Sequence, residues 1–518
     1  RKLPHSCPGC GAPTQTIAPD EAGFYNPSRG AVKSYLNPVK ETVKNPEDDI
    51  VKAALGNLDD STRERIGLSW SDEAPRVETR SEPETPVCDR CHNLIHHSTG
   101  VPIHHPSIES IKATIEESPH KHNHIYHVID AADFPMSLVP NLTSALSLAP
   151  LRSQNRRSKK QHFDQGRTAE VTFIITRSDL LAPKKEQVDG MMTYVTEVLR
   201  DALGRTGKNT RLGNVKLVSS RRNWWTREVK EMIWERGGGG WLVGKVNVGK
   251  SNLFENVFPK GRNEDFAEKK RASVINQTGL PEPVKFADGE DAPKQAAQEA
   301  IDEEDDPLTP EILDENSLLP PSQPETPYPV MPVISALPGT TASPIRVPFG
   351  KGRGELIDLP GLARSSLDTY VEPSHRLDLI MKTRLVPERI AIKPGSSLLL
   401  GGLIRITPTT NDIVYLAHPF VPMKAHLTST EKAVAIQEGQ RTTLGEQIGS
   451  IADPSAAEKI KSAGLFHLQW DVTKAQAGPL TRRDAVGLKA SVLPFTVWAA
   501  DILIEGVGWV EIQAQTRK

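Results

Sequence analysis

Eight residues near the middle of the chain combine glycine, lysine and serine in a spacing typical of phosphate binding. The run Gly244-Lys-Val-Asn-Val-Gly-Lys-Ser251 fits the pattern G-x-x-x-x-G-K-[ST]. Glycine permits a turn that directs backbone N–H groups at phosphate oxygens, and a following helix adds the positive end of its dipole. Lys250 would then reach the β- and γ-phosphates, and the Ser251 hydroxyl would bind Mg²⁺. The alternative is a plain glycine-rich turn, since residues 237–240 are four glycines.

The neighbouring elements are those that a phosphate-binding loop requires. A short apolar run at 240–243 predicts a buried strand before the loop, and residues 251–257 predict the start of a helix after it. This order places the loop backbone between strand and helix. The residues predicted to contact a nucleotide here are Gly244, Asn247, Val248, Gly249, Lys250, Ser251 and Asn252.

Two later motifs predict ligands for Mg²⁺ and the γ-phosphate. Asp358-Leu-Pro-Gly361 ends a predicted strand and fits D-x-x-G, so Asp358 would hold Mg²⁺ through a water and the Gly361 N–H would contact the γ-phosphate. Thr341 lies between this motif and the loop, in the run Pro338-Gly-Thr-Thr341. It would complete the Mg²⁺ shell when a triphosphate is bound, which would order its segment. Thr341 as an ordinary turn residue remains open.

A further motif is suited to reading a purine base. Thr176-Arg-Ser-Asp179 follows an apolar run, where the pattern N-K-x-D is expected. Asp179 would accept from the N1 and N2 donors of guanine, which adenine lacks. Ser219 and Ser220 end the next predicted strand, where a loop near guanine O6 belongs. Thr176 replaces the asparagine of this pattern, and Arg177 replaces the lysine, although its stem can still cover a base. We therefore expect reduced selectivity for guanine, while the expectation of nucleotide binding is unchanged.

All four cysteines fall into two C-x-x-C pairs: Cys7, Cys10, Cys88 and Cys91. Two such pairs can converge on a tetrahedral Zn²⁺. Two redox or disulfide pairs are the alternative. Nearby histidines, His92, His96 and His97, are candidate substitute ligands.

A second histidine group precedes an apolar run, and comprises His120, His122, His124 and His127. The alternation of the first three would place them on one face of a strand and so resembles a metal cluster. We expect instead a solvated approach to the strand.

Composition limits the class of protein. The chain has 518 residues, enough for about three domains, and a net charge of −2, which excludes a general polyelectrolyte role. No apolar run is long enough to span a bilayer. Residue 1 is Arg and not Met, so we expect this sequence to lack an N-terminal piece; a removed organelle-targeting peptide would explain that, and so would trimming of the sequence. Residues 152–160 form a basic loop, and 288–315 are acidic.

Strand-like and helical runs alternate in the middle of the chain. Strands are predicted at 125–129, 171–175, 215–218, 241–243, 344–349 and 354–358, with helices at 184–203 and 224–235. In the first helix, apolar residues recur at helical spacing, and we interpret them as core: Val188, Met191, Met192, Val195 and Leu199. The pattern predicts a mostly parallel α/β sheet with helices on both faces.

Three domains follow. Residues 1–105 form a zinc-knuckle module with a loose insertion at 12–87, and 106–384 form the α/β domain with a disordered, acidic, proline-rich insertion at 262–335. That insertion is a solvated linker or an acidic partner-binding segment. Residues 385–518 form a β-rich domain, with runs at 397–400, 403–406 and 500–504.

The order of the motifs indicates a family. The base motif precedes the phosphate loop, the reverse of an ordinary small GTPase. The chain resembles the circularly permuted GTPases, most closely the YqeH-type ribosome-assembly GTPases. The resemblance rests on the cysteine pairs and on the runs VIDAADFPMS (128–137), TRSDLL (176–181), GKVNVGKSN (244–252), PGTT (338–341), DLPG (358–361), GGLIRI (401–406) and EGVGWVEI (505–512). With its insertions and altered base motif, the sequence is similar to the fungal mitochondrial branch, the genetic interactor of prohibitins proteins.

The resemblance implies a circularly permuted P-loop GTPase domain that binds GTP or GDP with Mg²⁺. It also implies a structural Zn²⁺, a location in the mitochondrial matrix, and a partner in precursors of the mitochondrial small ribosomal subunit, with their rRNA and proteins. We expect a monomer. Asn247 is implied to help bind K⁺, or it only stabilises the loop. Leu362 stands where a water-orienting glutamine is expected, so hydrolysis should be slow. The residues expected to support catalysis are Lys250, Asn247, Thr341 and Gly361.

Two other functions remain open. The first is a non-hydrolysing nucleotide-binding scaffold linked to mitochondrial membrane or lipid maintenance, which Thr176 and Leu362 favour. The second, more remote, is an ATP-dependent nucleic-acid enzyme, against which Asp179 counts.

Overall fold

The computed structural model describes most of the chain, including residues 317–335 of the expected disordered insertion at 262–335. For these residues the expectation is corrected, because Leu319 and Val333 are buried in apolar clusters. The described residues are 2–37, 85–97, 99–101, 103–120, 122–139, 142, 146, 168–207, 214–261, 317–335, 337, 339–439 and 450–518. The basic loop at 152–160, Pro338 and the acidic segment at 288–315 therefore lie outside the described part of the chain.

The N-terminal module is built around its cysteines. Helix α1 (Gly30–Leu36) and helix α2 (Asp89–His96) flank the two pairs, and Tyr25 and Val32 are buried beside them. Residues 12–37 were expected to belong to a loose insertion, and this part of the prediction is corrected. They pack onto the cysteines because Tyr25, Val32 and Ala12 supply the apolar surface that the knuckles lack.

A six-stranded sheet forms the centre of the molecule. After helix α3 (Ile108–Glu116) come β1 (His122–Asp130), β2 (Thr168–Thr176), β3 (Val215–Leu217), β4 (Gly238–Val243), β5 (Ile345–Phe349) and β6 (Gly354–Asp358). The strand order is β3-β2-β1-β4-β6-β5, and every neighbouring pair is parallel except β5 with β6. Burial on both faces explains why these strands read as nearly continuous apolar runs.

The connecting helices bury the apolar positions that the sequence marked. They are α4 (Lys185–Gly190), α5 (Met192–Gly207), α6 (Thr226–Arg236) and α7 (Lys250–Val257). Val188, Val195 and Leu199 are buried against β2 and β3. On the other side, Leu253, Phe254 and the strands β4 to β6 share a second apolar cluster.

His122 at the start of β1 is exposed and His120 is half-buried, but the expected solvated approach is corrected for His124 and His127. His124 and His127 are buried within the sheet, because β1 lies between β2 and β4 and is covered on both faces. His124 Nε2 lies 2.9 Å from Thr172 Oγ1, and His127 Nε2 accepts from the Val139 N–H at 3.2 Å. Burial lowers the pKa of both imidazoles to about 3. Among the described residues, the cysteines form the only group of three or more His, Cys, Asp or Glu side chains close enough together to hold a metal ion.

The C-terminal region is β-rich. Its strands are β7 (Ile390–Ile392), β8 (Ser396–Leu400), β9 (Ile404–Ile406), β10 (Tyr415–Phe420), β11 (Ala425–Ser429), β12 (Trp470–Asp471), β13 (Phe495–Ile504) and β14 (Gly508–Arg517). They form a five-stranded sheet in the order β12-β13-β14-β10-β7 and a three-stranded sheet in the order β11-β8-β9, with helices α8 (Thr430–Gln437) and α9 (Thr473–Gln476). One apolar cluster joins the two sheets. Across the described residues, no helix has the length and apolar character needed to cross a membrane.

Candidate functional site

The candidate site lies where the strand order of the central sheet reverses. From β1 the chain adds β2 and β3 on one side, and then adds β4, β6 and β5 on the other. Side chains that follow the carboxyl ends of β1 and β4 therefore meet at a crevice, the usual ligand position in an open α/β sheet. The Gly244–Ser251 loop follows β4 at this point.

The Gly244–Ser251 loop has the conformation that its glycine and asparagine permit. Asn247 and Gly249 have φ values of 58° and 87°, a left-handed region that asparagine and glycine tolerate best. Helix α7 begins at Lys250 without a side-chain cap on its first turn. Its N-terminal N–H groups are thus left to the loop and to whatever anion the loop holds. The Val248 side chain is buried in the core, so only its backbone faces the site. Asn252 is exposed and its side-chain oxygen accepts from Asn256 at 3.0 Å.

Lys250 is folded over the loop. Its side chain is buried, and Nζ donates to the carbonyl oxygens of Lys245 at 2.9 Å and Gly244 at 3.2 Å. Burial lowers the pKa of Lys250 to about 8, although nearby Asp358 acts in the opposite direction. The ammonium is therefore poorly hydrated and directed into the crevice, where a phosphate would be its natural partner.

Three oxygen-bearing side chains converge beside Lys250. Both Ser251 Oγ and Thr341 Oγ1 donate to Asp358 Oδ2 at 2.9 Å, and the two hydroxyl oxygens are 3.4 Å apart. Asp358 is fully buried, which raises its pKa, and its Oδ1 makes no hydrogen bond among the described residues. Two hydroxyls and a carboxylate with an unused oxygen match the ligand preference of Mg²⁺. Asn247, Lys250, Ser251, Thr341 and Gly361 line one cavity here.

Backbone hydrogen bonds join the segment after β6 to the Gly244–Ser251 loop. The Val246 N–H donates to the Leu362 carbonyl at 2.9 Å, and the Leu362 N–H donates to the Gly244 carbonyl at 3.1 Å. A Cβ on Gly361 would come within 2.9 Å of the Val246 Cα, so this approach requires glycine. The Leu362 side chain is buried in the apolar cluster that contains Trp241.

The predicted base-reading residues reach the loop through Thr176. Thr176 Oγ1 lies 2.5 Å from the Val248 carbonyl oxygen and 3.1 Å from that of Ile129. Asp179 accepts a hydrogen bond from Ser219 Oγ at 2.7 Å, which brings the ends of β2 and β3 together. Ser220, next to it, is half-buried. A threonine hydroxyl thus makes a contact with the loop, at the position where an amide was expected.

The guanidinium of Arg177 is held by partners outside the Gly244–Ser251 loop, Asp130 and the carbonyl of Met381. Arg177 has a φ of 53°, and its guanidinium forms an ion pair with buried Asp130. Its Nη1 also donates to the carbonyl of Met381 at 3.2 Å. Only the aliphatic stem of Arg177 is left for a ligand.

The sequence reasoning missed a charged cluster that joins the loop to the C-terminal region. Buried Arg364 donates to Asp133 Oδ2 at 2.5 Å and to the Val246 carbonyl at 3.3 Å. The same Asp133 oxygen accepts from the Gly506 N–H at 2.8 Å, in the turn between β13 and β14. Two acidic residues after an apolar strand, in the run at 128–137, were the available signal, whereas Arg364 gave none.

A second contact joins the same turn to the loop itself. Lys245 Nζ lies 2.6 Å from Glu505 Oε1 and donates to the Met136 carbonyl at 2.8 Å. Ser365 Oγ donates to the Glu505 carbonyl at 3.1 Å. The β13–β14 turn is therefore attached to the phosphate-loop side of the sheet through Lys245, Arg364 and Ser365.

The four cysteines converge as the sequence predicts. Their sulfurs lie within 4.8 Å of one another, with Cys7–Cys91 at 3.8 Å and Cys10–Cys88 at 3.7 Å. A tetrahedron with Zn–S bonds of about 2.3 Å separates its sulfurs by about 3.8 Å. All four side chains are buried and unbridged, so the arrangement is compatible with a structural zinc site rather than with two disulfides. The rings of His92 and His96 lie 4.5 Å apart between centroids and are tilted by 48°, and His97 is 6.0 Å from His92; none of the three candidate ligands belongs to this cluster.

Comparison with known proteins gives a consistent set of relatives. No family model matches the chain. It is similar to the "Genetic interactor of prohibitins 3, mitochondrial" of Kluyveromyces lactis, with 24% identity over 472 residues, 83% of this chain and 67% of the relative. The protein of that name from Meyerozyma guilliermondii is 26% identical over 261 residues, and that from Saccharomyces cerevisiae 23% over 259.

The extent of these matches is unequal. The chain covers about two thirds of the Kluyveromyces relative, but 38% of the other two, which match about half of this chain. All three relatives are named as mitochondrial proteins.

Proposed function

We propose that the chain is a circularly permuted P-loop GTPase that binds guanine nucleotide and Mg²⁺ at the crevice between β1 and β4. The contact between Thr176 Oγ1 and the Val248 carbonyl carries this proposal. It joins the segment that leads to Asp179 with the Gly244–Ser251 loop, although their order in the chain is the reverse of an ordinary GTPase. One nucleotide can then touch both.

The phosphate end would be held by Lys250 and the backbone of the loop, and Mg²⁺ by Ser251, Thr341 and Asp358. The convergence of three oxygen ligands, one with an unused buried lone pair, supports this assignment. When bound, Mg²⁺ supplies positive charge beside the β- and γ-phosphates. Gly361 would present its N–H to the γ-phosphate, since it lies in the same cavity.

The base end would be read by Asp179, with Ser219 and Ser220 beside it. A carboxylate distinguishes guanine, which offers two donors, from adenine. Ser219 already orients the Asp179 carboxylate through its 2.7 Å hydrogen bond. Because the Thr176 hydroxyl contacts the loop carbonyl, guanine selectivity would rest on Asp179.

Hydrolysis would be slow. The side chain after Gly361 is Leu362, which is buried in the core and has no polar atom to orient a water. Asn247 lines the cavity and would help hold K⁺ near the phosphates, which is the role that the resemblance implies. The alternative is that Asn247 only stabilises the loop, which its positive φ also suits.

The proposed setting is the mitochondrial matrix, on precursors of the small ribosomal subunit. The mitochondrial names of the relatives support the compartment, and the resemblance to assembly GTPases supports the rRNA and ribosomal-protein partners. The chain would act there as a monomer whose nucleotide state changes its affinity for the particle.

Nucleotide titration tests the base assignment. We expect GTP to bind at least about 100-fold more tightly than ATP, a difference of about 2.7 kcal/mol. Asp179→Asn should prefer XTP, because the amide donates to the 2-oxo group of xanthine, whereas Asp189→Asn on exposed α4 should not change selectivity. Equal binding of GTP and ATP, unaltered by Asp179→Asn, would refute the proposal.

The burial of Leu362 also favours a second function, a nucleotide-binding scaffold that does not hydrolyse GTP and serves mitochondrial membrane or lipid maintenance. Measuring GTP turnover with and without mitochondrial small-subunit particles separates the two. For a GTPase, the particles should increase the rate of GTP hydrolysis in K⁺, and Na⁺ at the same concentration should not support that rate. A scaffold should bind GTP without turnover in either condition.

A further inference from the structure

The zinc-knuckle module contacts the segment that carries Thr341. This segment, residues 339–343, is called here the threonine loop, and it follows residues that also touch the module. The Cys10 carbonyl accepts from the Ala342 N–H at 2.8 Å and from the Ser343 N–H at 3.2 Å. A metal ligand is therefore hydrogen bonded, through its own backbone, to the residues immediately after Thr341.

The approach is close enough to fix residue types on the module side. Gly11 has a φ of 76°, and a Cβ there would lie 2.2 Å from the Ser343 carbonyl oxygen. Just before the threonine loop, the Val333 N–H donates to the Gly9 carbonyl at 2.9 Å. A Cβ on Gly9 would lie 2.6 Å from the Val333 side chain. The first cysteine pair, C-P-G-C-G, is thus shaped to receive this segment.

The second cysteine pair contributes an arginine. Arg90 lies between Cys88 and Cys91 at the start of α2 and is buried. Its guanidinium donates to the carbonyls of Gly339 and, at 3.5 Å, Thr340, while Nε donates to the Val101 carbonyl at 2.9 Å. A planar guanidinium can bridge several carbonyls in this way, but a lysine ammonium cannot match its geometry.

Apolar packing reinforces these contacts. Val333 is buried in the same cluster as the four cysteines, and Leu337 and Ala342 pack against it. The module therefore supports the threonine loop through backbone hydrogen bonds, Arg90 and apolar packing. The Thr341 side chain of the same loop donates to Asp358 Oδ2 at 2.9 Å.

We propose that zinc bound to the four cysteines holds the threonine loop in place, so that the metal state of the module sets the affinity of the Mg²⁺–nucleotide site. Arg90 is a positioning residue in this link. The proposal rests on the proposed function for the identity of the ligand, but not for the mechanical coupling. A structural zinc site contributes folding free energy directly, so its loss releases the backbone that carries Cys10 and Arg90. Without zinc, nucleotide binding would have to order the threonine loop, and the conformational entropy lost in doing so would weaken the affinity.

Hydrogen exchange on the full chain without nucleotide tests the coupling. Three samples are compared with the zinc-loaded protein: the chelator-treated chain, Arg90→Ala and Arg29→Ala. Arg29 is the matched control because it pairs with Asp89 in the same module, at 2.6 Å, and among the described residues it makes no hydrogen bond or ion pair with the threonine loop. We expect the Ala342 and Ser343 amides to exchange at least about tenfold faster after chelation and in Arg90→Ala, but not in Arg29→Ala.

Zinc content and nucleotide affinity complete the experiment. Arg90→Ala should retain one zinc per chain and bind GTP with Mg²⁺ about tenfold more weakly, and Arg90→Lys should recover only part of that loss. Unchanged exchange of the threonine loop in both the chelated chain and Arg90→Ala would overturn the inference. If the zinc-loaded chain bound no nucleotide, the proposed function would fail, while the exchange result would still decide the coupling.

Discussion

The Gly244–Ser251 loop region is attached to both ends of the chain, and the two attachments differ in chemistry. On the N-terminal side, the zinc-knuckle module holds the threonine loop with backbone hydrogen bonds, apolar packing and the guanidinium of Arg90. On the C-terminal side, the β13–β14 turn is held by charges, through Lys245 with Glu505 and Arg364 with Asp133. We call these the zinc attachment and the charged attachment.

Because the two attachments differ in chemistry, we expect them to respond to different perturbations. Backbone hydrogen bonds and apolar contacts are little affected by salt, so the zinc attachment should respond chiefly to loss of the metal. Ion pairs respond to ionic strength and to charge substitution, most strongly where they are exposed. Separate perturbations should therefore release one attachment and leave the other intact.

The largest expected effect is on the zinc attachment. Cys88→Ser removes one of four thiolate ligands from a site whose binding free energy is on the order of 10 kcal/mol. We expect zinc content to fall well below one per chain and residues 2–37 to become protease-sensitive, while the β13–β14 turn keeps its protection. Asp89→Asn, at the next position, is the control. Full zinc retention in Cys88→Ser would remove the basis of the comparison.

The buried part of the charged attachment comes next. Asp133→Asn removes one of the two carboxylates that pair with Arg364, and Asp130 Oδ2, at 3.2 Å, remains. The cost should therefore stay below about 3 kcal/mol, the cost of breaking a buried ion pair. We expect a lower urea midpoint and faster exchange at Gly506, with zinc content unchanged. Asp378→Asn removes an exposed partner of His375 and should change the midpoint little. Equal effects of the two substitutions would mean that Asp133 does not stabilise the attachment.

Lys250 lies between the two attachments, and its pKa predicts a pH effect. The folded protein holds this pKa at about 8, against 10.5 for an ordinary lysine. Between about pH 8 and pH 10.5 the unfolded chain therefore binds more protons at this lysine than the folded chain does, so the free energy of unfolding increases as the pH rises through this window. Nucleotide affinity should move the other way, weakening about tenfold per pH unit above 8, because the neutral amine attracts phosphate poorly.

The measurement for Lys250 is GTP affinity at several pH values between 7 and 9. Lys250→Ala should bind weakly throughout and lack the lysine-dependent slope. If the wild-type and Lys250→Ala affinities declined in parallel, titration of Lys250 would not be the cause.

The smallest expected effect is in the half-buried part of the charged attachment. Lys245 and Glu505 retain 17% and 23% side-chain exposure, so water still screens the pair and we expect their coupling to be about 1 kcal/mol. A double-mutant cycle with Lys245→Ala and Glu505→Ala measures it, and raising the salt concentration should reduce it further. A coupling that does not change with salt would assign this contact to packing rather than charge.

The sequence predicted elements with strong local signals. The strands of the central sheet, the buried helical positions Val188, Val195 and Leu199, and the convergence of the cysteines were all evident from periodicity or spacing, although the predicted helix at 184–203 is divided into α4 and α5. Ser251 of the Gly244–Ser251 loop and Asp358 also lie in hydrogen-bond contact, while their role in nucleotide binding stays a prediction. Each of these predictions depends on residues that are close in sequence or on a ligand set with a fixed geometry.

The failures share a physical cause. His124 and His127 looked like a solvated approach because their burial depends on β2 and β4, which flank them only in the folded sheet. Residues 12–37 looked loose because few apolar side chains are needed to cover a zinc site. Arg90 and Arg364 gave no signal, since each binds a group more than 200 residues away, the Gly339 carbonyl and the Asp133 carboxylate respectively.

The distance along the chain between Asp133 and Gly506 has a consequence for synthesis. These partners are separated by 373 residues, and at 5–20 residues per second a ribosome needs about 20–75 s to make that stretch. The Gly244–Ser251 loop emerges within that interval, well before the turn that braces Arg364 exists. A nascent chain stalled before residue 506 would therefore expose an incompletely supported loop, and chaperones would meet it in that form.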